Sequence, residues 1–264
     1  MENPMIRQQK MMRFVAGQKE EAEDVVAVET AVTLNVNGSE VATVLCTPTD
    51  LEELVAGFLA AEGLIRRYAD IASLTIDDGK GFVYVKLTNG SRLTEAQAAA
   101  SKRIIGSCCG KGRQFYFQSD VNTAKTIMNG ARLTVSQCTG LMRQLQENSA
   151  VFQQTGGIHN AALCSGVKPI VSRSDIGRHN ALDKVYGYCL INGIATGDKV
   201  IAFSGRISSE VLLKVSKLGA AIILSKAAPT TLGIALAEEL GITVVGFVRG
   251  DRFNVYSRPD RIMK

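Results

Sequence analysis

Two cysteines and two cations share one glycine-rich stretch, Gly106-Ser107-Cys108-Cys109-Gly110-Lys111-Gly112-Arg113. Glycine lets a backbone turn sharply and leaves a thiol accessible. Neighbouring Lys111 and Arg113 favour the thiolate, the nucleophilic form of cysteine. Such a thiol suits persulfide chemistry: it accepts sulfur from another thiol and hands it on. The same residues also describe a plain glycine turn with two inert cysteines, and spacing alone leaves both open. A second concentration of chemistry is Asp175-Ile176-Gly177-Arg178-His179-Asn180-Ala181-Leu182-Asp183-Lys184. It mixes acid, guanidinium, imidazole, carboxamide and ammonium groups in a segment expected to be a core helix opening at Asn180. These groups are expensive to bury without partners, so the run reads as the floor of a cleft. A helix start there would offer N–H groups to an anion, with Asp183 partnered by Lys184 or Arg206.

The chain's only other histidine, His159, follows Gly156-Gly157 and is expected to open an apolar helix. Arg178, Lys184, Arg206, Arg249 and Arg252 complete the candidate set. Guanidinium groups grip phosphate oxygens at two points, and three of these five cations stand beside glycine.

The elements that must position these groups follow from hydrophobic pattern. Val32, Leu34 and Val36 alternate up to Asn37-Gly38, and Val41 and Val44 follow, which is a hairpin signature. Thr49 with Glu52 forms a capping box ahead of Leu51, Leu54, Val55, Phe58 and Leu59 at helical spacing, with Gly63 closing that helix. A second hairpin runs through Leu74 and Ile76, Asp78-Gly79, and Phe82 to Leu87. Thr134 and Gln137 cap a helix to Glu147. From residue 199 the pattern alternates strand, helix, strand, helix, strand: 200–203, then Val211 to Leu218, then 220–224, 232–240 and 242–248. That alternation builds a parallel sheet with right-handed crossovers. Ligands in such a sheet sit beyond the C-terminal strand ends, where Ser204-Gly205-Arg206, Ser225-Lys226 and Arg249-Gly250 fall. The expected organisation is a flexible segment over 1–24, an α+β part over 25–105 with two hairpins and a helix, and an α/β domain over 106–264.

The 264 residues carry a net charge of +5, no Trp and six Tyr. The cations are spread rather than striped, which argues against nucleic acid and for a small anionic ligand. No 18-residue apolar window is present, so no membrane span is expected. The polar start lacks a secretory pattern, which places the six cysteines in a reducing compartment, the cytoplasm. Cys46, Cys138, Cys164 and Cys189 adjoin apolar pattern and read as core residues. No Cys-x-x-Cys occurs, and no metal ligand set is expected.

Taken together, Thr155-Gly156-Gly157-Ile158-His159, the 175–184 run, Ser204-Gly205-Arg206, Ala228-Pro229-Thr230 and Gly246-Phe247-Val248-Arg249-Gly250 resemble the formate dehydrogenase accessory sulfurtransferase family, written FdhD or FdhD/NarQ. The resemblance spans roughly residues 30 to 258. It implies a cytidine deaminase-like C-terminal α/β domain with a mixed or parallel sheet, plus a smaller N-terminal α+β part. It implies a sulfurtransferase taking persulfide sulfur from a cysteine desulfurase to the molybdenum cofactor, bis(molybdopterin guanine dinucleotide), of a formate dehydrogenase. The family pattern is Ser-Cys-Gly-x-Cys-Gly with its first cysteine as carrier. Here Cys109 keeps the following glycine and Cys108 is the alternative, and either match loses the second cysteine. The segment Phe247, Val248, Arg249, Gly250, Asp251 and Arg252 corresponds to the family's cofactor-binding stretch. The resemblance also implies that the loop carrying His159 lines the sulfur-transfer cleft, and Arg206, Arg178 and His179 join it as candidate cofactor-binding residues. The missing cysteine keeps a non-catalytic cofactor chaperone as the alternative. A zinc deaminase chemistry lacks both its glutamate, which would fall at Asn160 or Ala161, and its cysteine ligands. A homodimer is compatible with all of this.

Overall fold

The computed structural model describes residues 3–88, 104–105, 124–128 and 130–264. Its strands are β1 Ile6–Val15, β2 Gln18–Ala27, β3 Thr30–Val36, β4 Ser39–Cys46, β5 Ile71–Asp77, β6 Phe82–Leu87, β7 Ile104–Ile105, β8 Leu133–Thr134, β9 His159–Ser165, β10 Lys168–Asp175, β11 Val200–Phe203, β12 Ile222–Ser225, β13 Thr243–Arg249, β14 Arg252–Ser257 and β15 Ile262–Met263. Its helices are α1 Leu51–Ala61, α2 Val135–Glu147, α3 Ala150–Thr155, α4 Arg178–Ile191, α5 Ser209–Leu218 and α6 Thr231–Leu240. The class is mixed α/β, as expected.

Two sheets carry the two cores. The five-stranded sheet, ordered β5-β6-β3-β4-β7, packs Val32, Leu34, Val83 and Val85 against Leu54, Val55, Phe58 and Leu59 of α1. The six-stranded sheet, ordered β10-β9-β11-β12-β13-β14, is parallel across β11, β12 and β13 and antiparallel outside them. Strands β11 and β12 are buried along their whole length and β13 as far as Gly246, which is why they read as apolar runs. Tyr186 and Leu190 of α4 pack against the first core, and Ala181, Leu182 and Val185 belong to the second. Helix α4 therefore joins the two halves.

It does so by backbone contact with α1. A Cβ on Gly57 would stand 1.8 Å from the Asp183 carbonyl oxygen, and one on Gly187 would stand 1.8 Å from the Glu53 carbonyl oxygen. Only hydrogen fits at either crossing point. Arg173 on β10 adds a bidentate pair with Glu53 at 2.5 and 2.7 Å and lies 4.9 Å over the Tyr188 ring.

Four expectations need correction. Within the segment 1–24, expected to be flexible, the chain from Ile6 onward is strand, with β1 and β2 paired from Ile6↔Ala27 to Val15↔Gln18. Opposite charges face each other along the ribbon, at Lys10↔Glu23 and Arg13↔Glu20, and such cross-strand pairs stabilise it. The Thr49 capping box does not form: the N-cap is Asp50 at φ 53, and Glu52 instead accepts the Tyr68 hydroxyl. His159 opens a strand rather than a helix, since β9 is sandwiched between β10 and β11 and buried on both faces. Helix α4 begins at Arg178, two residues before Asn180. The Thr134–Gln137 capping box and the Asn37-Gly38 turn, at φ 51 and 87, form as read.

Candidate functional site

Register places most of the candidate groups on one edge of the six-stranded sheet. His159 at the start of β9 faces Asp175 at the end of β10. Ala161 faces Phe203, Phe203 faces Ser225, and Leu224 faces Val245. Arg249 and Arg252 pair where β13 turns into β14. The loops 204–208 and 226–230 and the start of α4 therefore open on the same edge, beyond the C-terminal ends of the parallel strands. These loops are tied to one another. Ile207 N–H donates to the Ala228 carbonyl at 3.1 Å and Thr230 N–H to the Ile207 carbonyl at 3.0 Å. Ser225 Oγ donates to the Gly205 carbonyl at 2.8 Å, and Phe247 N–H donates to the Ala227 carbonyl at 3.2 Å.

The two histidines and Arg178 gather at this edge. His159 Nδ1 lies 3.3 Å from Ser204 Oγ, which also accepts the Asn160 N–H at 2.9 Å. His179 Nε2 lies 3.2 Å from Glu210 Oε2 in the first turn of α5, within ion-pair distance but off the line of a straight hydrogen bond. Arg178 crowds Gly205, where an added Cβ would come 3.1 Å from Arg178 Cβ and 2.9 Å from the Phe203 ring. Burial pushes both imidazoles below their usual 6.5. The Arg178 charge adds to this at both rings, and Glu210 opposes it at His179.

Asp175, Asn180, Asp183 and Lys184 are all buried. Asp175 accepts from Gly177 N at 2.8 Å, Asn180 Nδ2 at 2.9 Å, Thr47 N at 3.1 Å and Thr47 Oγ1 at 3.0 Å, with Lys184 Nζ at 2.8 Å. Lys184 also donates to Thr47 Oγ1 at 2.7 Å and to the Ser174 carbonyl at 3.2 Å. Asp183 is paired with Lys214 of α5 rather than with Lys184 or Arg206. A helix packed between two cores points its charged side chains at its neighbours, so each finds its partner on a different element. Asn180 does not start the helix; its carboxamide also reaches the Leu45 carbonyl at 2.8 Å.

His159, Arg178 and His179 are thus brought together, and Arg206 stands exposed on the adjoining loop. Phe247, Arg249, Gly250, Asp251 and Arg252 form an exposed hairpin further along the rim, with Val248 turned into the core. Phe247 holds a left-handed φ of 55, and the Arg249 guanidinium sits 5.7 Å over its ring. Cys108 and Cys109, with Lys111 and Arg113, lie outside the described residues. The other four cysteines are buried core residues, as read. Burial pushes their thiols up to about 12 at Cys46, Cys164 and Cys189 and to about 11 at Cys138. Thr47, Glu210 and Lys214 are contributions that sequence reading missed, because each works across a long sequence separation.

The depressed imidazoles make the fold acid-sensitive. An unfolded histidine takes its proton near 6.5, whereas the folded ones do so only at lower pH. In the window between, the unfolded chain binds more protons, and stability falls as pH drops. Thermal melts at about pH 7 and about pH 5 should show a smaller loss for a His159→Asn, His179→Asn double variant than for the wild type. Equal losses would contradict this.

The model of the FdhD/NarQ family matches residues 27–263. A sulfur carrier protein FdhD of Bacillus subtilis (strain 168) is 54% identical over 250 residues, covering 95% of each chain. One of Halalkalibacterium halodurans is 55% identical over 265 residues, covering 100% of this chain and 97% of the relative. A crystal structure from Desulfotalea psychrophila, assigned to a formate dehydrogenase accessory protein, superposes with a TM-score of 0.79 at 28% identity, covering 98% of this chain and 100% of that one. The edge formed by His159, Arg178 and His179 therefore sits in a chain that belongs to the FdhD/NarQ family.

Proposed function

We propose that the protein is a sulfur carrier that takes sulfur from a cysteine desulfurase persulfide and passes it to the molybdenum cofactor, bis(molybdopterin guanine dinucleotide), of a formate dehydrogenase. The observation that carries this is the state of the thiols. Four of the six cysteines are buried and held protonated at neutral pH, so they are poor nucleophiles. The carrier role then falls to Cys109 or Cys108 in the glycine-rich stretch. Loading is a thiolate attack on the outer sulfur of the donor persulfide. A new S–S bond forms, the donor S–S bond breaks, and the donor cysteine leaves as a thiolate. Ile105, the last described residue before these cysteines, lies on β7 paired with Val44 of β4. Strand β4 runs on toward Thr47, which bonds Asp175 beside the histidines.

The cofactor enters as substrate, and the edge suits its chemistry. Its pyrophosphates are anionic and fit Arg178, Arg206, Arg249 and Arg252. A guanine ring fits the exposed Phe247–Arg249 stack. His159 and His179 would donate to or accept from phosphate or sulfur. The loss of the family's second cysteine favours one further reading, a chaperone that holds the cofactor without moving sulfur. Calorimetry with GDP as a partial mimic tests the cofactor site. Binding is expected to weaken as salt rises, because phosphate contacts are screened, and to fall at least about tenfold, on the order of 1.4 kcal/mol, in an Arg249→Ala, Arg252→Ala variant. Equal affinity in that variant would rule the hairpin out.

A further inference from the structure

We propose that Glu210 and Ser204 are positioning residues of the candidate site, holding the His179 and His159 rings by opposite nitrogens so that beside Arg178 His159 presents an N–H donor to an anion and His179 a nitrogen that becomes a donor when it takes up a proton. The inference rests on reading this edge as the anion site. One hydrogen bond and one ion-pair distance assign the roles. Ser204 Oγ already accepts the Asn160 N–H at 2.9 Å, so its own hydrogen is available to His159 Nδ1 at 3.3 Å. A neutral His159 then carries its proton on Nε2 and is a donor there. An ionised Glu210 only accepts, so His179 Nε2, 3.2 Å from Glu210 Oε2, carries the proton and Nδ1 is the acceptor.

The charges around His179 single out Glu210. Facing it are Glu210 and Lys214 from α5, Arg178 and Asp183 from α4, and His159 from β9. Asp183 is already paired with Lys214. Without Glu210 the ring would stand between Arg178 and Lys214 with no carboxylate of its own. Read from sequence alone, Glu210 is an ordinary acidic residue in a helix first turn, and Ser204 a loop residue after a strand. The pairings give each a task.

The chain has two histidines, so an untagged, 15N-histidine-labelled full-length protein gives two resolvable ring systems whose tautomer and titration are read directly. In Glu210→Gln, His179 should titrate about one pH unit lower while His159 moves less. The pH midpoint of inorganic pyrophosphate binding should shift down with it, which a merely structural role would not produce. In Ser204→Ala, His159 should lose its single tautomer, and Ser204→Thr should restore it. Glu210→Asp keeps the charge and covers the case in which Glu210→Gln fails to fold: His179 should titrate as in the wild type. An unmoved His179 titration in Glu210→Gln, a shifted one in Glu210→Asp, or an unchanged His159 tautomer in Ser204→Ala, would each overturn the corresponding role. Wild type that binds no pyrophosphate would instead overturn the anion reading of the edge, and the ring spectra alone would then decide the positioning.

Discussion

Lys184→Met should lower the unfolding free energy by about 3–5 kcal/mol. The lysine is fully buried, and its ammonium lies between Asp175, Thr47 and the Ser174 carbonyl. Methionine nearly conserves the volume, so packing is not the main loss. What is lost is the cation opposite Asp175, itself fully buried. The carboxylate would keep its N–H and hydroxyl donors but not its counter-charge, and an uncompensated buried charge is the expensive outcome. The site would suffer with the fold, because Asp175 also holds Gly177 and Asn180 at the opening of α4. Adding Asp175→Asn should then cost less than it does alone, since the two residues share one network. Urea titrations of the two single variants and the double variant would measure this. A Lys184→Met midpoint equal to that of the wild type would show that the pair contributes nothing.

Gly57→Ala and Gly187→Ala should each destabilise by more than the roughly 1–3 kcal/mol usual for overpacking. The added methyl would overlap backbone carbonyl oxygens, of Asp183 in one case and of Glu53 in the other, at 1.8 Å. Backbone cannot rotate away as a side-chain tip can, so α1 and α4 must separate. That separation would break the junction between the two cores and pull Asp183 from Lys214. The effect should appear as loss of soluble folded protein or a large drop in melting temperature. Either alanine variant melting with the wild type would mean that the helices cross with more clearance than described.

Where local chemistry decides structure, the sequence was legible. Asn37-Gly38 supplies two left-handed residues, so the β3–β4 hairpin could be read directly. The apolar runs at 200–203, 220–224 and 242–248 contain the parallel strand β11 and most of β12 and β13, and their order puts Ser204, Ser225 and Arg249 on one edge. The β1–β2 ribbon was hidden because it has no apolar alternation and turns through Ala16-Gly17, with Ala16 at an unfavourable φ of 48. The pattern at His159 reads as a helix start because a strand buried on both faces shows no period. The partners of Asp175 and Asp183 were beyond reach for another reason. Thr47 lies 128 residues from Asp175, and Lys214 lies 31 residues from Asp183. No local pattern encodes such pairs.

The claim that this chain carries sulfur on the glycine-rich stretch is tested most directly by intact-protein and peptide mass spectrometry after incubation with a cysteine desulfurase and cysteine. The wild type, Cys108→Ala, Cys109→Ala and the double variant would be compared. The account predicts one added sulfur on the wild type, located at Cys109 or Cys108. It also predicts loss of that sulfur in one single variant, no sulfur on the double variant, and unmodified Cys46, Cys138, Cys164 and Cys189. Undiminished sulfur on a folded double variant would contradict it, as would a wild type that takes up no sulfur from an active desulfurase.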